Sequence, residues 1–129
     1  MDEKMQAEAL ARFGFVKSAN WRELHGPEGQ TVYLGPKLLD GVCVKINERD
    51  AEIFFEDKKM FSVNPDGGKI LSLADGRKHM NEIINEAGME KNASEAALFF
   101  VYLGISGYLQ NRVEIKLYET RERHYEGNN

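Results

Sequence analysis

Cysteine is nearly absent from this sequence, since Cys43 is the one cysteine among 129 residues. A single thiol excludes an internal disulfide, and with it the bridged framework of small secreted domains. The opening residues MDEKMQAEAL carry acids where a signal peptide carries bases, and no apolar segment follows them. We therefore expect a protein of the reducing cytoplasm.

The sequence also lacks an excess of positive charge. It has 17 lysines and arginines against 21 aspartates and glutamates, for a formal net charge of −4. Such a balance disfavours nonspecific attraction to nucleic-acid backbones and to anionic lipid. We therefore expect neither nucleic acid nor a membrane as the partner.

No hydrophobic run is long enough to span a bilayer. The least polar stretch, SEAALFFVYLGISGYLQN at 94–111, has no formal charge between Glu95 and Arg112. As a helix, those sixteen residues span about 24 Å, which is short of the roughly 30 Å hydrocarbon core. The segment belongs instead to a folded interior.

The same stretch predicts a helix with Ser94 as its N-cap. Apolar residues recur at helical spacing at Leu98, Val101, Ile105 and Leu109. Phe99, Phe100, Tyr102 and Leu103 fill most of the remaining circumference, and a helix that is apolar all round is covered on most sides. We predict a buried central helix, with Gly104 and Gly107 packed closely against another element.

Two further helices are amphipathic. The first covers about 2–12, with a stripe formed by Met5, Ala9 and either Phe13 or Leu10. The second lies within LADGRKHMNEIINEAGM and ends at Gly88. Asp75-Gly76 fits either a turn before this helix or its first turn.

Strands are predicted between and after these helices. Three runs at 42–47, 51–56 and 58–63 form a β-meander, which the turn Asn64–Gly68 closes. A hairpin is predicted around Gly26-Pro27-Glu28-Gly29, and 113–118 alternates as a strand does. These elements predict one α+β domain over 1–129, with a polar tail from about 121. A mostly antiparallel sheet of hairpin, meander and C-terminal strand would pack on the buried helix and the two amphipathic ones.

Catalytic motifs are lacking. Cys43 could act as a nucleophile with His25, His79 or His124 as base, but its valine-rich strand favours a small residue in or near the core. His79, Glu82 and Glu86 share a helix face without a second histidine, which favours an ordinary surface with a Lys78–Glu82 ion pair. We assign no catalytic residue, metal or cofactor, and favour a protein that is not an enzyme.

Two more patterns have structural explanations. NPDGGK at 64–69 lacks the hydroxyl residue of a phosphate loop and is interpreted as a turn. Glu52 and Glu56 on one strand face are interpreted as partners of Lys45 and Lys58 in cross-strand ion pairs.

Four residues are candidates for binding. Phe54 and Met60 are predicted on the meander face opposite its apolar side, where they would be exposed together unless the N-terminal helix covers them. Trp21 and Tyr33 on the hairpin could stack a nucleic-acid base, although a lone tryptophan there more often belongs to a core or interface.

Three segments, LARFGFV, HGPEGQTVYL and MNEIINEAGM, resemble the layout of small HicA-type toxin domains. That family has a double-stranded-RNA-binding-like fold and cleaves mRNA, so the resemblance implies a nucleic-acid-directed module. The Gly-Ser-His segment that carries the family's catalytic histidine has no counterpart, because SANWREL stands in its place. No catalytic residue is carried over.

Two functions follow as expectations. The first is a small cytoplasmic interaction or regulatory protein of bacterial or phage type, which binds a protein partner or itself as a homodimer. The alternative is a nucleic-acid-directed module with the HicA-like layout. Charge balance favours the first.

Overall fold

The structure is a computed structural model that describes residues 3–24 and 35–111. It confirms a mixed α+β fold with a mostly antiparallel sheet. The predicted hairpin turn at 26–29 and the predicted strand at 113–118 lie outside the described residues. In chain order the elements are α1 (Glu3–Arg12), β1 (Val16–Lys17), β2 (Pro36–Leu38), β3 (Val42–Ile46), β4 (Ala51–Phe55), β5 (Lys58–Val63), α2 (Pro65–Ser72), α3 (Met80–Glu86), a 3₁₀ turn (Glu90–Asn92), α4 (Ala93–Ile105) and β6 (Leu109–Asn111).

The predicted meander is confirmed as β3, β4 and β5, which lie in an antiparallel sheet of order β1-β5-β4-β3. Asn47 begins the first connection, where its N–H donates to the Asp50 carbonyl at 2.8 Å and its side chain to the Asp50 carboxylate at 2.9 Å. Glu56 and Asp57 form the second, with φ of 52° and 64°. Two successive residues with positive φ suit the twist of a two-residue hairpin, so this turn fixes β4 beside β5.

The turn predicted at Asn64–Gly68 is wrong, because these residues begin α2. The Asn64 Oδ1 accepts from the Gly67 N–H at 2.9 Å, its Nδ2 donates to the Arg12 carbonyl at 2.8 Å, and Pro65 occupies the first helical turn. Gly68 is buried, and a Cβ there would lie 2.5 Å from the Cβ of Ala51. The glycine pair that looks like a turn in the sequence instead lets this helix lie close to β4.

The second amphipathic helix is shorter than predicted and begins after Asp75-Gly76, which lie in the turn before it. His79 caps α3: its Nδ1 accepts from the Asn81 N–H at 3.1 Å, while Glu82 accepts from the His79 N–H at 3.2 Å. This reciprocal cap fixes the start of α3. Gly88, with φ of +74°, follows its end as predicted.

The core joins α1 and α4 to the inner face of the sheet. Phe13 and Phe99 stack with centroids 4.8 Å apart, and both side chains are fully buried. On α1, Ala9 is buried as predicted, but Met5 is 50% exposed and does not belong to the packed stripe. Between the sheet and α4 lies a cluster of aromatic rings that touch one another, formed by Phe15, Trp21, Phe61, Tyr102 and Tyr108. We call this set the aromatic cluster.

Helix α4 begins at Ala93 and ends at Ile105, so two details of its prediction are wrong. Ser94 lies in the first turn instead of capping it, and Leu109 belongs to β6, which pairs with β2. Gly107, with φ of +90°, lies in the turn between α4 and β6. A Cβ at this position would lie 1.8 Å from the Leu24 carbonyl oxygen. The close packing expected at Gly107 is therefore present, but in a turn and not within the helix. In the described part of the chain, no helix has the length and apolarity that crossing a membrane requires.

Candidate interaction surfaces

The structure separates Phe54 from Met60. The pairing of β4 with β5 shifts register between Ile53 and Phe54, so that Ile53 faces Phe61 and Phe54 faces Lys59. Met60 is the extra residue at this bulge, and its side chain is 2% exposed. The predicted exposed pair of Phe54 and Met60 is therefore wrong, because one bulged residue reverses the alternation of the strand.

The outer face of the sheet is mainly polar. Phe54 is half-buried there, beside the exposed Cys43. Glu52 accepts from the Asn47 amide at 2.7 Å and pairs with Lys59 at 3.3 Å, and these two contacts lower the pKa of its carboxyl. The first helix does not cover this face, since α1 packs mainly against α4. Phe54 is thus a single half-buried ring on a face where the polar side chains of Asn47, Glu52 and Lys59 pair with one another.

The ion pairs differ from those predicted. Glu52 pairs with Lys59 because the bulge moves Lys59 onto its face, and Glu56 lies 3.9 Å from Arg22. Exposed pairs of this kind contribute little to stability, typically below about 1 kcal/mol. They explain these carboxylates without a catalytic role.

Trp21 belongs to the aromatic cluster. Its ring is half-buried and stacks on Tyr108 with centroids 5.0 Å apart and an interplanar angle of 21°, while the Lys17 ammonium lies 5.2 Å from its centroid. A ring held in this way offers little free face to a nucleic-acid base. Tyr33 lies outside the described residues, so its predicted partnership with Trp21 stays a prediction.

Cys43 is exposed on β3, so the predicted position in or near the core is wrong. It lies on the outer face because Val42 and Val44 take the inward positions of the alternation. His79 uses its ring as the cap of α3, and His25 and His124 lie outside the described residues. No described residue therefore stands beside Cys43 as the predicted base.

The predicted Lys78–Glu82 pair is also wrong. Glu82 takes part in the cap of α3, and the Lys78 ammonium instead reaches Glu86 at 3.1 Å. Over residues 3–24 and 35–111, no three His, Cys, Asp or Glu side chains are grouped as a metal ion requires. The helix face of His79, Glu82 and Glu86 thus consists of the cap of α3 and one ion pair with Lys78.

Helix α4 carries apolar side chains on its outer side as well as on its inner side. The side chains of Ala96, Phe99, Phe100 and Leu103 are completely buried and form its inner face. Leu98, Val101 and Ile105 follow at helical spacing on the opposite side. Ile105 is 70% exposed, and Leu98 and Val101 are partly exposed. We call these three residues the α4 stripe.

Sequence reasoning found the spacing of the α4 stripe but assigned the stripe to the interior. In a helix that is apolar all round, periodicity does not indicate which stripe faces inward. The sequence signal that could have identified the inward side is the pair of bulky rings at Phe99 and Phe100, since large aromatic side chains dominate cores.

Comparison with known proteins identifies no relative. No protein-family model matches the chain, and no curated protein or solved structure is significantly similar to it. The resemblance to HicA-type toxin domains thus has no family match behind it and stays a prediction.

Proposed function

We propose that this is a small cytoplasmic protein-interaction or regulatory protein that binds an apolar surface of a protein partner through the α4 stripe. The observation that carries the proposal is the outward position of Leu98, Val101 and Ile105, with Ile105 70% exposed. Of the three, Ile105 is open to solvent and Leu98 and Val101 are partly so. Apolar side chains at i, i+3 and i+7 on the outer side of a helix have the anchor spacing of helix-in-groove recognition.

The charge around the stripe supports a partner of apolar chemistry. Glu95 lies in the first turn of α4, and no formal charge occurs after it before Arg112. An apolar partner on the α4 stripe would therefore meet no charged side chain on α4 beyond that first turn. Full burial of one such side chain contributes about 1.5–3 kcal/mol. An amphipathic helix or the wall of an apolar groove would therefore gain most from this surface.

The cytoplasmic placement has support from the thiol. Cys43 is free and exposed on β3, a state that a reducing compartment preserves. The nucleic-acid alternative loses its best candidate residue, since Trp21 is engaged within the aromatic cluster. Binding to nucleic acid that weakens steeply with salt would still favour that alternative over ours.

The test compares the tagged full chain with Ile105→Asp and with the control Met5→Asp. Met5 is an apolar residue of similar size that is 50% exposed on α1, away from the stripe. Proteins captured by the parent are purified, and their binding is measured by calorimetry. We expect at least about tenfold weaker binding for Ile105→Asp, because a charge must then be desolvated, and parent-like binding for Met5→Asp.

The folded state of each variant is checked by circular dichroism, which an exposed substitution should leave unchanged. The proposal fails if the purified partner binds Ile105→Asp as tightly as it binds the parent. It also fails if no captured protein binds the purified parent.

A further inference from the structure

Strand β3 forms an edge of the sheet. The Asn47 N–H donates to the Asp50 carbonyl, and because hydrogen-bonded pairs alternate along an antiparallel ladder, Lys45 and Cys43 also bond to β4. The backbone groups of Val44 and Ile46 must then point away from β4, toward the open side.

This edge is unpaired within the described residues. On the open side, the Val42 N–H donates to the Leu39 carbonyl at 2.9 Å, and no backbone hydrogen bond there reaches the amides of Val44 or Ile46. The Ile46 side chain is 58% exposed at the same edge. An edge with free amides and an exposed β-branched side chain is a template for another strand.

We propose that β3 pairs antiparallel with β3 of a second copy of this chain, about a two-fold axis through Val44. The two four-stranded sheets would then continue as one sheet of eight strands. This inference stands apart from the α4 stripe, since it uses other residues and needs no other protein.

Two features favour the register in which Val44 lies opposite Val44 of the second copy: the charge on Lys45, and the existing hydrogen bond from the Val42 N–H to Leu39. The outward backbone groups allow Val44 to face Val42, Val44 or Ile46 of the second copy. Facing Ile46 sets Lys45 directly against Lys45 of the second copy, and like charges in direct opposition destabilise a pair of strands. Facing Val42 loses donors, because the Val42 N–H is already bonded to Leu39.

With Val44 opposite Val44, all available donors are used. The two Val44 residues exchange two hydrogen bonds, and each Ile46 N–H donates to the Val42 carbonyl of the other copy. Lys45 lies opposite the uncharged Cys43 of the second copy, and Glu52 of its own chain faces it on β4. The exposed Ile46 packs beside Val42 of the second copy. The short strand indicates a weak, concentration-dependent dimer.

Sedimentation velocity of the purified chain over a concentration series tests the pairing. We expect the parent to dimerise as its concentration rises and Ile46→Lys to stay monomeric, because each copy then brings a charge to the edge. The control Val16→Lys alters a residue that is 61% exposed on β1, at the opposite edge of the sheet, and should dimerise like the parent.

Ile105→Asp separates this inference from the proposed function, since it should dimerise normally even though it binds a partner poorly. A parent that stays monomeric at every concentration overturns the pairing. So does parent-like dimerisation of Ile46→Lys, or a dimer that dissociates on Ile105→Asp and not on Ile46→Lys.

Oxidative cross-linking tests the register. Cys43 lies opposite position 45 of the second copy, at a Cα separation of about 4.5 Å, which a disulfide spans. The two Cys43 residues are offset by two positions, about 8 Å apart, which exceeds the roughly 7 Å limit. Lys45→Cys should therefore form a covalent dimer on a non-reducing gel, whereas the parent and the control Val16→Cys should not. The double variant Cys43→Ser/Lys45→Cys should not cross-link either, because in the Val44 register the bond joins position 43 to position 45; a covalent dimer of this double variant would indicate that position 45 faces position 45. Cross-linking of the parent as readily as Lys45→Cys would overturn the Val44 register.

Discussion

The two sides of α4 carry similar residues and meet opposite surroundings. Phe99 and Phe100 are fully buried on one side, whereas Ile105 on the other is 70% exposed. Hydrophobicity is therefore not what distinguishes them. The inner side packs on α1 and the aromatic cluster, and nothing among the described residues covers Ile105 to a comparable extent.

The comparison shows how an apolar helix serves two purposes. Burial of the inner side contributes to folding, because those side chains leave water when the chain folds. In the α4 stripe, Ile105 stays largely in water in the folded chain and Leu98 and Val101 stay partly so. Ile105 therefore contributes little to folding and keeps its apolar surface for association. Mutations on the two sides should therefore affect different measurements.

The largest effect is expected from Phe99→Ala. Its ring is fully buried and stacks on Phe13, so truncation leaves a cavity in the core. We expect the free energy of unfolding to fall by about 3–5 kcal/mol, measured by urea denaturation. The control is Val101→Ala on the outer side, with a smaller loss; equal losses would show that the two sides do not differ in burial.

An intermediate effect is expected from Tyr108→Phe. The Tyr108 hydroxyl donates to the Arg22 carbonyl at 2.5 Å, and its ring is fully buried in the aromatic cluster. Removing the hydroxyl leaves that carbonyl without this donor and should cost about 1 kcal/mol at neutral pH. Urea denaturation of parent and variant measures the difference.

The same variant predicts a change at alkaline pH. Burial raises the pKa of Tyr108 from 10.0 to about 12, against the opposing effect of its bond to Arg22. Folding therefore favours the neutral phenol: its stabilisation is complete below pH 10 and is lost as pH rises toward 12. The stability advantage of the parent over Tyr108→Phe should shrink in that interval. Tyrosinate absorbance over a pH titration checks the assignment to Tyr108. If the parent has no tyrosine that titrates at a higher pH than every tyrosine of Tyr108→Phe, the assignment is contradicted.

The smallest effect on folding is expected from Ile105→Ser. With 70% of Ile105 exposed, the free energy of unfolding should change by less than about 0.5 kcal/mol. Thermal denaturation alongside Phe99→Ala measures the contrast. A loss comparable to that of Phe99→Ala would mean that Ile105 belongs to the core and that the α4 stripe is not a free surface.

Local patterns predicted much of the fold. Alternating residues located β3, β4 and β5, and the spacing of Ala9 and Phe13 located α1. These predictions succeed because each depends on neighbours in the chain and on a regular period. Helix α2 escaped prediction, since Gly67 and Gly68 resemble a turn until Ala51 is seen beside them.

The candidate surfaces were harder to predict. Alternation in the sequence predicts that Phe54 and Met60 share a face of the sheet. In the structure, a single bulge turns the Met60 side chain into the core. Trp21 finds its partners in Tyr108 and Phe61, which are far away in sequence. Both outcomes depend on contacts between distant segments, which one-dimensional periodicity does not contain.

The sequence by itself determined that the chain folds as α+β, that Cys43 has no internal disulfide partner, and that residues 96–111 form an uncharged apolar segment too short for a bilayer. Only the tertiary structure decided that Phe99 faces the core while Ile105 faces solvent. It also decided that, among residues 3–24 and 35–111, β3 ends the sheet and no backbone partner reaches the amides of Val44 and Ile46. Composition and period are properties of neighbouring residues, whereas burial and strand order depend on which distant elements pack together.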